Sequence, residues 1–299
     1  KDMAAATAAL NGNGGWGCFH LVRMGDLAER EREVLVEKHL ISPRHAQDPE
    51  GKGLVLREDE VVSIMVNEED HLRIQVLFSG LQLDQAMVVA SGVDDVIEST
   101  LDYAYSSQHG YLTACPTNVG TGLRASVMVH LPALAALNQA GNVLSATGKL
   151  GVAVRGLYGE GSEAGGNVFQ VSNQITLGQT EAELINNLQG ITGQITDQER
   201  KARSYLLNKA KDQVEDRVWR AFALLSSARV LTSDEALRLW SEVKLGSEMG
   251  LLRGVSRKVI NEVLIITRPA YLQFLEGRVM SPFERDVKRA ALVRERFKA

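Results

Sequence analysis

The chain has 299 residues, 44% of them hydrophobic and 23% charged, with a net charge of −4. That size and hydrophobic share allow a sizeable core in one large or two smaller domains, and the acidic balance argues against nucleic acid as the main partner. Two cysteines, Cys18 and Cys115, without metal-ligand spacing, point to no metal site, no disulfide scaffold and a reducing cytoplasm, and the absence of any run of about 18 apolar residues excludes a membrane-spanning helix.

Residues 1–50 read as the remainder of an N-terminal region. They open Ala-rich, with an apolar stretch too short for a cleavable signal peptide. A Gly-rich stretch at 11–17 follows, then a charged segment at 27–38 that predicts a helix. Residues 51–231 read as a catalytic domain in which strands alternate with helices. Val61-Val62-Ser63-Ile64-Met65-Val66 is an apolar, β-branched run, the pattern of a buried strand. It leads into Asn67-Glu68-Glu69-Asp70-His71-Leu72-Arg73, which gathers three carboxylates, a histidine and an arginine. A helix is predicted over 83–106. Cys115-Pro116-Thr117-Asn118-Val119-Gly120-Thr121-Gly122-Leu123-Arg124-Ala125-Ser126 is a second dense segment. Gly120 and Gly122 there allow the close backbone approach that a phosphate-cradling loop needs. Val127-Met128-Val129-His130-Leu131 begins a further helix or strand. Val152-Ala153-Val154 is a short apolar strand running into a turn of Arg155, Gly156, Leu157, Tyr158, Gly159 and Glu160. Residues 168–177 alternate as a half-buried strand does.

A long amphipathic helix is predicted over 181–211, with Ile185, Leu188, Ile191, Ile195 and Tyr205 on one side. From Thr232 the chain reads as a helical C-terminal domain, 232–299. Ser233-Asp234-Glu235 is its start signal, and further helices are expected over 256–267 and 282–298.

Three strand-to-loop transitions each deliver an arginine: Arg73, Arg124 and Arg155. Guanidinium groups stay charged and grip phosphate bidentately, so three of them suit a nucleotide triphosphate. Carboxylates beside an apolar strand are costly unless they meet a cation. A site with both kinds of group suits phosphoryl transfer to a nitrogen base. If that base is a guanidinium, it is protonated at neutral pH and a poor nucleophile; paired carboxylates would clamp it and accept a proton as the N–P bond forms. A cysteine near cationic groups favours the reactive thiolate.

These segments resemble the phosphagen kinase superfamily, whose members move the γ-phosphoryl of ATP to a guanidino nitrogen. The N-E-E-D-H-L-R, C-P-T-N-x-G-T-G-L-R-A and R-G-x-x-G-E motifs stand in the family's order. The V-E-K-H-L-I-S-P segment at 36–43, Arg124 to Met128, and R-D-x-x-R-A at 285–290 are similar to one branch, the bacterial protein-arginine kinases that mark proteins for Clp-type proteolysis. The resemblance implies an α+β fold, an antiparallel-rich sheet flanked by helices, followed by the C-terminal helical domain. It implies that Glu68, Glu69, Cys115 and Glu160 contact the substrate guanidinium, with Glu68 as the base. It implies nucleotide binding by His39, Arg73, Arg124, Ala125, Ser126, Val127, Met128, Arg155, Gly156, Leu157, Tyr158, Gly159 and Glu160. Arg285, Asp286, Arg289 and Ala290 fall in a motif implied to bind phosphoarginine.

The implied cofactors are ATP and Mg²⁺. The implied partners are proteins with exposed arginines, a Clp-type unfoldase, a cysteine-rich activator protein and a second copy of the chain. The family's early S-S-R-x-R segment, whose arginines hold ATP phosphates, does not occur in these 299 residues. A tryptophan usual in the small-molecule branch is replaced by Met65. A kinase for free arginine, and a phosphoarginine-binding adaptor without catalysis, are the alternatives. Retention of Glu68, Glu69, Cys115 and Glu160 together weighs against the adaptor.

Overall fold

The computed structural model describes residues 2–12, 15–148, 150–156 and 165–298. In chain order the first elements are α1 (Asp2–Gly12), β1 (Phe19–Arg23), α2 (Glu29–Glu37), α3 (Pro43–Gln47), β2 (Gly53–Arg57), β3 (Val62–Val66), β4 (Leu72–Val76) and α4 (Leu83–Glu98). The short strands β5 (Tyr105–Ser106) and β6 (Gly110–Tyr111) come next, then β7 (Ser126–His130), α5 (Pro132–Ala136), α6 (Ala140–Gly148), β8 (Val152–Gly156) and β9 (Val168–Asn173). Six helices close the chain: α7 (Glu181–Lys209), α8 (Lys211–Ser227), α9 (Ser233–Glu248), α10 (Arg257–Ile266), α11 (Pro269–Leu275) and α12 (Pro282–Lys298). The class is α+β, with every strand pairing antiparallel. By internal contacts the chain divides into two units, Lys1–Ala125 with Gln174–Gln189, and Ser126–Asn173 with Gly190–Ala299.

In the first unit, β1-β2-β3-β4 form a meander in that order. The central strand β3 is buried on both faces, which explains its unbroken apolar run. Val62 and Ile64 face a cluster with Ala6 and Leu10 of α1 and Val93, Val96 and Ile97 of α4. Met65 faces the other cluster, with Met24, Ile41 and Leu54, against which Leu35, Val36 and Ala46 of α2 and α3 pack. The one polar residue of β3 with its side chain in this core, Ser63, donates to Leu40 O at 2.8 Å, so its burial leaves no orphan hydroxyl.

The helix expected over 83–106 stops at Glu98. Ser99 Oγ and Thr100 Oγ1 donate back to Val96 O and Ile97 O at 2.7 and 2.8 Å. Such local bonds compete with helix continuation, and Tyr105–Ser106 instead starts a two-stranded hairpin.

In the second unit, β7, β9 and β8 form a sheet in the order β7-β9-β8. Residues 127–130 therefore belong to a strand rather than a helix, and Leu131 lies just past its end, before α5. The run at 168–177 shortens to β9 and is more buried than half, with Val168, Val171, Ser172 and Asn173 all buried.

Helix α7 matches its expected span closely, and Ile185, Leu188, Ile191 and Ile195 are buried. Tyr205 leaves that stripe at 54% exposed, because Ala202 and Leu206 carry it instead. The chain is also helical before Thr232: α8 begins two residues after α7 ends. Thr232 caps α9, its hydroxyl accepting from Glu235 N at 3.2 Å, and Ser256 caps α10 the same way through Lys258 N.

Candidate active site

The five residues from Asn67 to His71 connect β3 to β4. Asn67 takes a left-handed conformation, φ 59°, that asparagine tolerates better than most residues. Its amide nitrogen donates to Gly51 O at 2.8 Å, its side-chain oxygen lies 3.1 Å from His71 Nδ1, and its backbone N–H donates to His71 O. The turn is thus closed on itself, and His71 serves the turn. That fixed loop presents Glu68, Glu69 and Asp70 in succession.

Glu68 is the most enclosed of the three, with a side chain only 8% exposed. Ser42 Oγ donates to its Oε1 at 2.7 Å, and Glu69 N donates to its Oε2 at 3.0 Å. Arg73, opposite Met65 in the β3–β4 ladder, places Nη1 3.8 Å from the same Oε2. Burial pushes the Glu68 carboxyl upward, but the Ser42 and Glu69 hydrogen bonds and the Arg73 charge outweigh it, and the net shift is below the ordinary carboxylate value. Glu68 is therefore anionic at neutral pH and anchored on one side. Ser42 performs two tasks, because its Oγ also accepts from His45 N at 3.1 Å and so caps α3.

Asp70 fastens a second segment to the first. Its Oδ1 accepts from Ala114 N at 2.6 Å, the residue before Cys115. Cys115 is a free, partly exposed thiol. Its Sγ lies 3.1 Å from the Thr117 hydroxyl, and Thr113 Oγ1 donates to its carbonyl at 2.7 Å. Thr176 Oγ1 donates to Thr117 O and Val119 O, tying the same loop down from the far side.

Gly120 has a packing role of its own. Its φ is 115°, and a Cβ there would lie 3.0 Å from Leu177 Cα and from Thr176 O. A Cβ on Gly110 would in turn strike Gly120 O at 2.3 Å. The close backbone approach at Gly120 is made by this chain's own segments, so packing alone requires a glycine there. Arg124 is exposed and Ala125 buried just beyond it.

His39 sits just past α2 with φ 60°, a left-handed helix end, and its carbonyl accepts from Gln75 Nε2 at 2.5 Å. Within the second unit, Met128, Gln170 and Arg155 stand opposite one another across β7, β9 and β8, so their side chains share one face of that sheet, as does Ser126. Val127, Val129, Val154 and Val171 occupy the other. Gly156 ends β8 and is buried; Leu157, Tyr158, Gly159 and Glu160 lie outside the described residues.

In the R-D-x-x-R-A motif the two arginines part company. Arg289 is 1% exposed; its Nε donates to Thr267 O at 2.6 Å and its Nη1 to Leu231 O at 2.7 Å and Asp286 Oδ1 at 2.5 Å. Ala290 is also 1% exposed. Arg285 and Asp286 are partly exposed, and Arg285 Nη1 donates to Met280 O at 2.9 Å.

Structure thus brings Glu68, Arg73 and Cys115 into one linked assembly. Sequence reasoning missed Ser42 and Asp70 as supports. Asp70 lay inside the recognised motif, whereas Ser42 carried only the signal of a Ser-Pro helix start.

An ionised, anchored carboxylate and a neighbouring arginine on an antiparallel meander, tied through Asp70 to the segment of a partly exposed thiol, fit a guanidino-phosphotransferase type of domain. Residues 3–202 match the family model for the ATP:guanido phosphotransferase C-terminal catalytic domain, and residues 211–299 match that for the protein-arginine kinase McsB C-terminal domain. The chain belongs to the bacterial protein-arginine kinases of the phosphagen kinase superfamily.

It is 57% identical over 279 residues to the protein-arginine kinase of Halothermothrix orenii, covering 93% of this chain and 80% of that one. Identity to the Bacillus subtilis protein-arginine kinase is 51% over 283 residues, 95% and 78% of the two chains. Among solved structures, the duplicated taurocyamine kinase from Schistosoma mansoni with bound transition state analog components superposes with a TM-score of 0.58 at 28% identity, over 67% of this chain and 29% of that one. A lombricine kinase gives 0.54 at 25% identity, over 67% and 58%. Among the described residues no helix is long and apolar enough to cross a membrane.

Proposed function

We propose that this enzyme transfers the γ-phosphoryl of Mg-ATP to arginine side chains of proteins. The observation that carries the reading is Glu68: a carboxylate nearly enclosed by protein yet held ionised, at a turn that also positions Cys115. An ionised carboxylate fixed by hydrogen bonds to both oxygens, with a guanidinium already 3.8 Å away in Arg73, is suited to a further guanidinium. In the transfer, an arginine nitrogen attacks the γ-phosphorus, an N–P bond forms, the bond to the ADP oxygen breaks, and the nitrogen loses one proton.

A carboxylate below its ordinary pKa is a weak base, so Glu68 acts first as a clamp. It takes the proton only as N–P bond formation acidifies the nitrogen. Glu69, Cys115 and Glu160 are assigned to the same guanidinium. The nucleotide is assigned to His39, Arg73, residues 124–128 and residues 155–160. Exposed Arg124 and the hydroxyl and guanidinium groups of the Ser126–Arg155 face have the chemistry a polyphosphate needs. Mg²⁺ would enter with ATP and neutralise its phosphates.

The protein substrate is favoured over small guanidines by the match of residues 211–299, which covers the C-terminal domain of a protein-arginine kinase. We assign phosphoarginine binding to the segment of Arg285, Asp286, Arg289 and Ala290, with buried Arg289 and Ala290 holding the backbone from below. A Clp-type unfoldase, a cysteine-rich activator and a second copy of the chain are the partners this reading carries. Glu68→Gln keeps the shape and removes the charge. It is expected to lower kcat by about 10²-fold or more while far-UV circular dichroism is unchanged; full activity in that variant would remove Glu68 from the reaction.

A further inference from the structure

A second cluster of reactive side chains lies away from the Glu68 turn. Glu58 N donates to Cys18 O at 3.0 Å, extending the β1–β2 ladder by one pair beyond Phe19 and Arg57. Cys18 thus stands opposite Glu58, and His20, two residues along, points to the same side. Cys18 Sγ lies 3.8 Å from His20 Nε2, which lies 3.2 Å from Glu58 Oε1. The three atoms are all within 4.8 Å of one another.

Three readings of this trio are separable. A nucleophilic Cys-His-Glu relay needs the two ring nitrogens on different partners; here a single nitrogen, Nε2, faces both sulfur and oxygen. A surface network, with His20 Nε2 and the Cys18 thiol both on the Glu58 carboxylate, brings the three groups together without an ion. A shared cation would use all three donors at once. Tetrahedral zinc, with bonds of about 2.3 Å to sulfur and about 2.0–2.1 Å to nitrogen or oxygen, sets its ligand atoms about 3.3–3.6 Å apart. The observed 3.8 and 3.2 Å bracket that range.

The backbone between the ligands is also fixed in advance. Phe19 is 2% exposed and packs into the core. Its N–H donates to Asn11 Oδ1 at 2.7 Å, and its carbonyl accepts from Asn11 Nδ2 at 3.0 Å.

We propose that Cys18, His20 and Glu58 form a surface site for a zinc-class divalent cation, with three protein ligands and a fourth position for water or an exogenous donor. Sulfur, imidazole and carboxylate together suit zinc rather than magnesium or calcium. On binding, the Cys18 thiol gives its proton to solvent, a sulfur–metal bond forms, and no electron is transferred. The site is separate from the phosphoryl-transfer centre. Glu58 follows Arg57 at one end of β2, whereas Gly53 at the other end pairs with Val66, just before the Glu68 turn. A bound ion clips the edge strand β1 to β2 and shields an exposed thiol from oxidation.

The test is titration of the full chain with Co²⁺, followed by Zn²⁺ competition against a chromophoric chelator. One equivalent of Co²⁺ is expected to give thiolate-to-metal charge-transfer absorption that Zn²⁺ abolishes. Cys18→Ser should eliminate that absorption. His20→Ala and Glu58→Gln should weaken Zn²⁺ binding by more than the about 10–100-fold that loss of an outer-sphere partner costs. All three side chains are exposed, so the variants fold, and circular dichroism verifies it. A charge-transfer band that survives Cys18→Ser, or Zn²⁺ binding in the wild type no tighter than in the triple variant, overturns the site.

Discussion

At the residue scale the chemistry turns on how a few polar groups are held. Glu68 is kept anionic by Ser42 and the Glu69 backbone against the effect of burial. Asp70 is argued to be a positioning residue, since its partner is Ala114 N and not a substrate atom. Asp70→Ala removes the tie on the Cys115 loop, which as a bond to a charged group is worth about 1.5–3 kcal/mol. The expected result is a fall in kcat of about tenfold or more, with Cys115 reacting faster with alkylating agents. Asp70→Asn keeps an acceptor oxygen and should restore most of both, which a merely electrostatic role would not allow. Glu68, Glu69, Cys115 and the arginines were legible as types of residue in a motif. Asp70's task was not, because its partner lies 44 positions away and meets it only after folding.

At the element scale, the sequence conveyed strands and amphipathic helices better than it conveyed their ends. Strand β3 was readable because burial on both faces demands apolar residues throughout. The end of α4 was not, because Ser99 and Thr100 stop it through their own side chains. Helix α8 was overlooked because α7 leads into it with no Gly or Pro between them.

Arg289 shows how one charge can join elements. It sits on α12, donates to Thr267 O just after α10 and to Leu231 O just before α9, and pairs with Asp286. Arg289→Met removes the charge and strands those acceptors. Breaking a buried pair in this way costs about 3–5 kcal/mol, so a marked drop in thermal midpoint is expected by calorimetry. An unchanged midpoint would show that Arg289 is not a strut.

His130 behaves as a partly buried base. It reaches Ser241 Oγ at 2.8 Å, packs against Trp240, and is pushed down to about 3 by burial. In the unfolded chain its pKa returns to about 6.5. The unfolded state therefore binds more protons between those values, and stability present above the higher one is lost as pH falls towards the lower. His130→Gln should flatten that part of the stability profile in denaturant titrations; an equally steep profile would place the acid sensitivity elsewhere.

For the whole molecule, composition placed the chain among globular proteins and away from nucleic acid and membrane-spanning helices. Motif order placed it in a family. Neither could show that Gly120 packs against Thr176 and Leu177, or that Cys18, His20 and Glu58 meet at one point, since both depend on long-range pairing. The most direct measurement is mass spectrometry under non-acidic conditions after incubation with Mg-ATP, with an arginine-rich unfolded protein and free arginine in competition. Acid-labile phosphate on the protein's arginines is the expected result, lost in Glu68→Gln. Phosphate confined to free arginine, or phosphate on neither, would contradict a protein-arginine kinase.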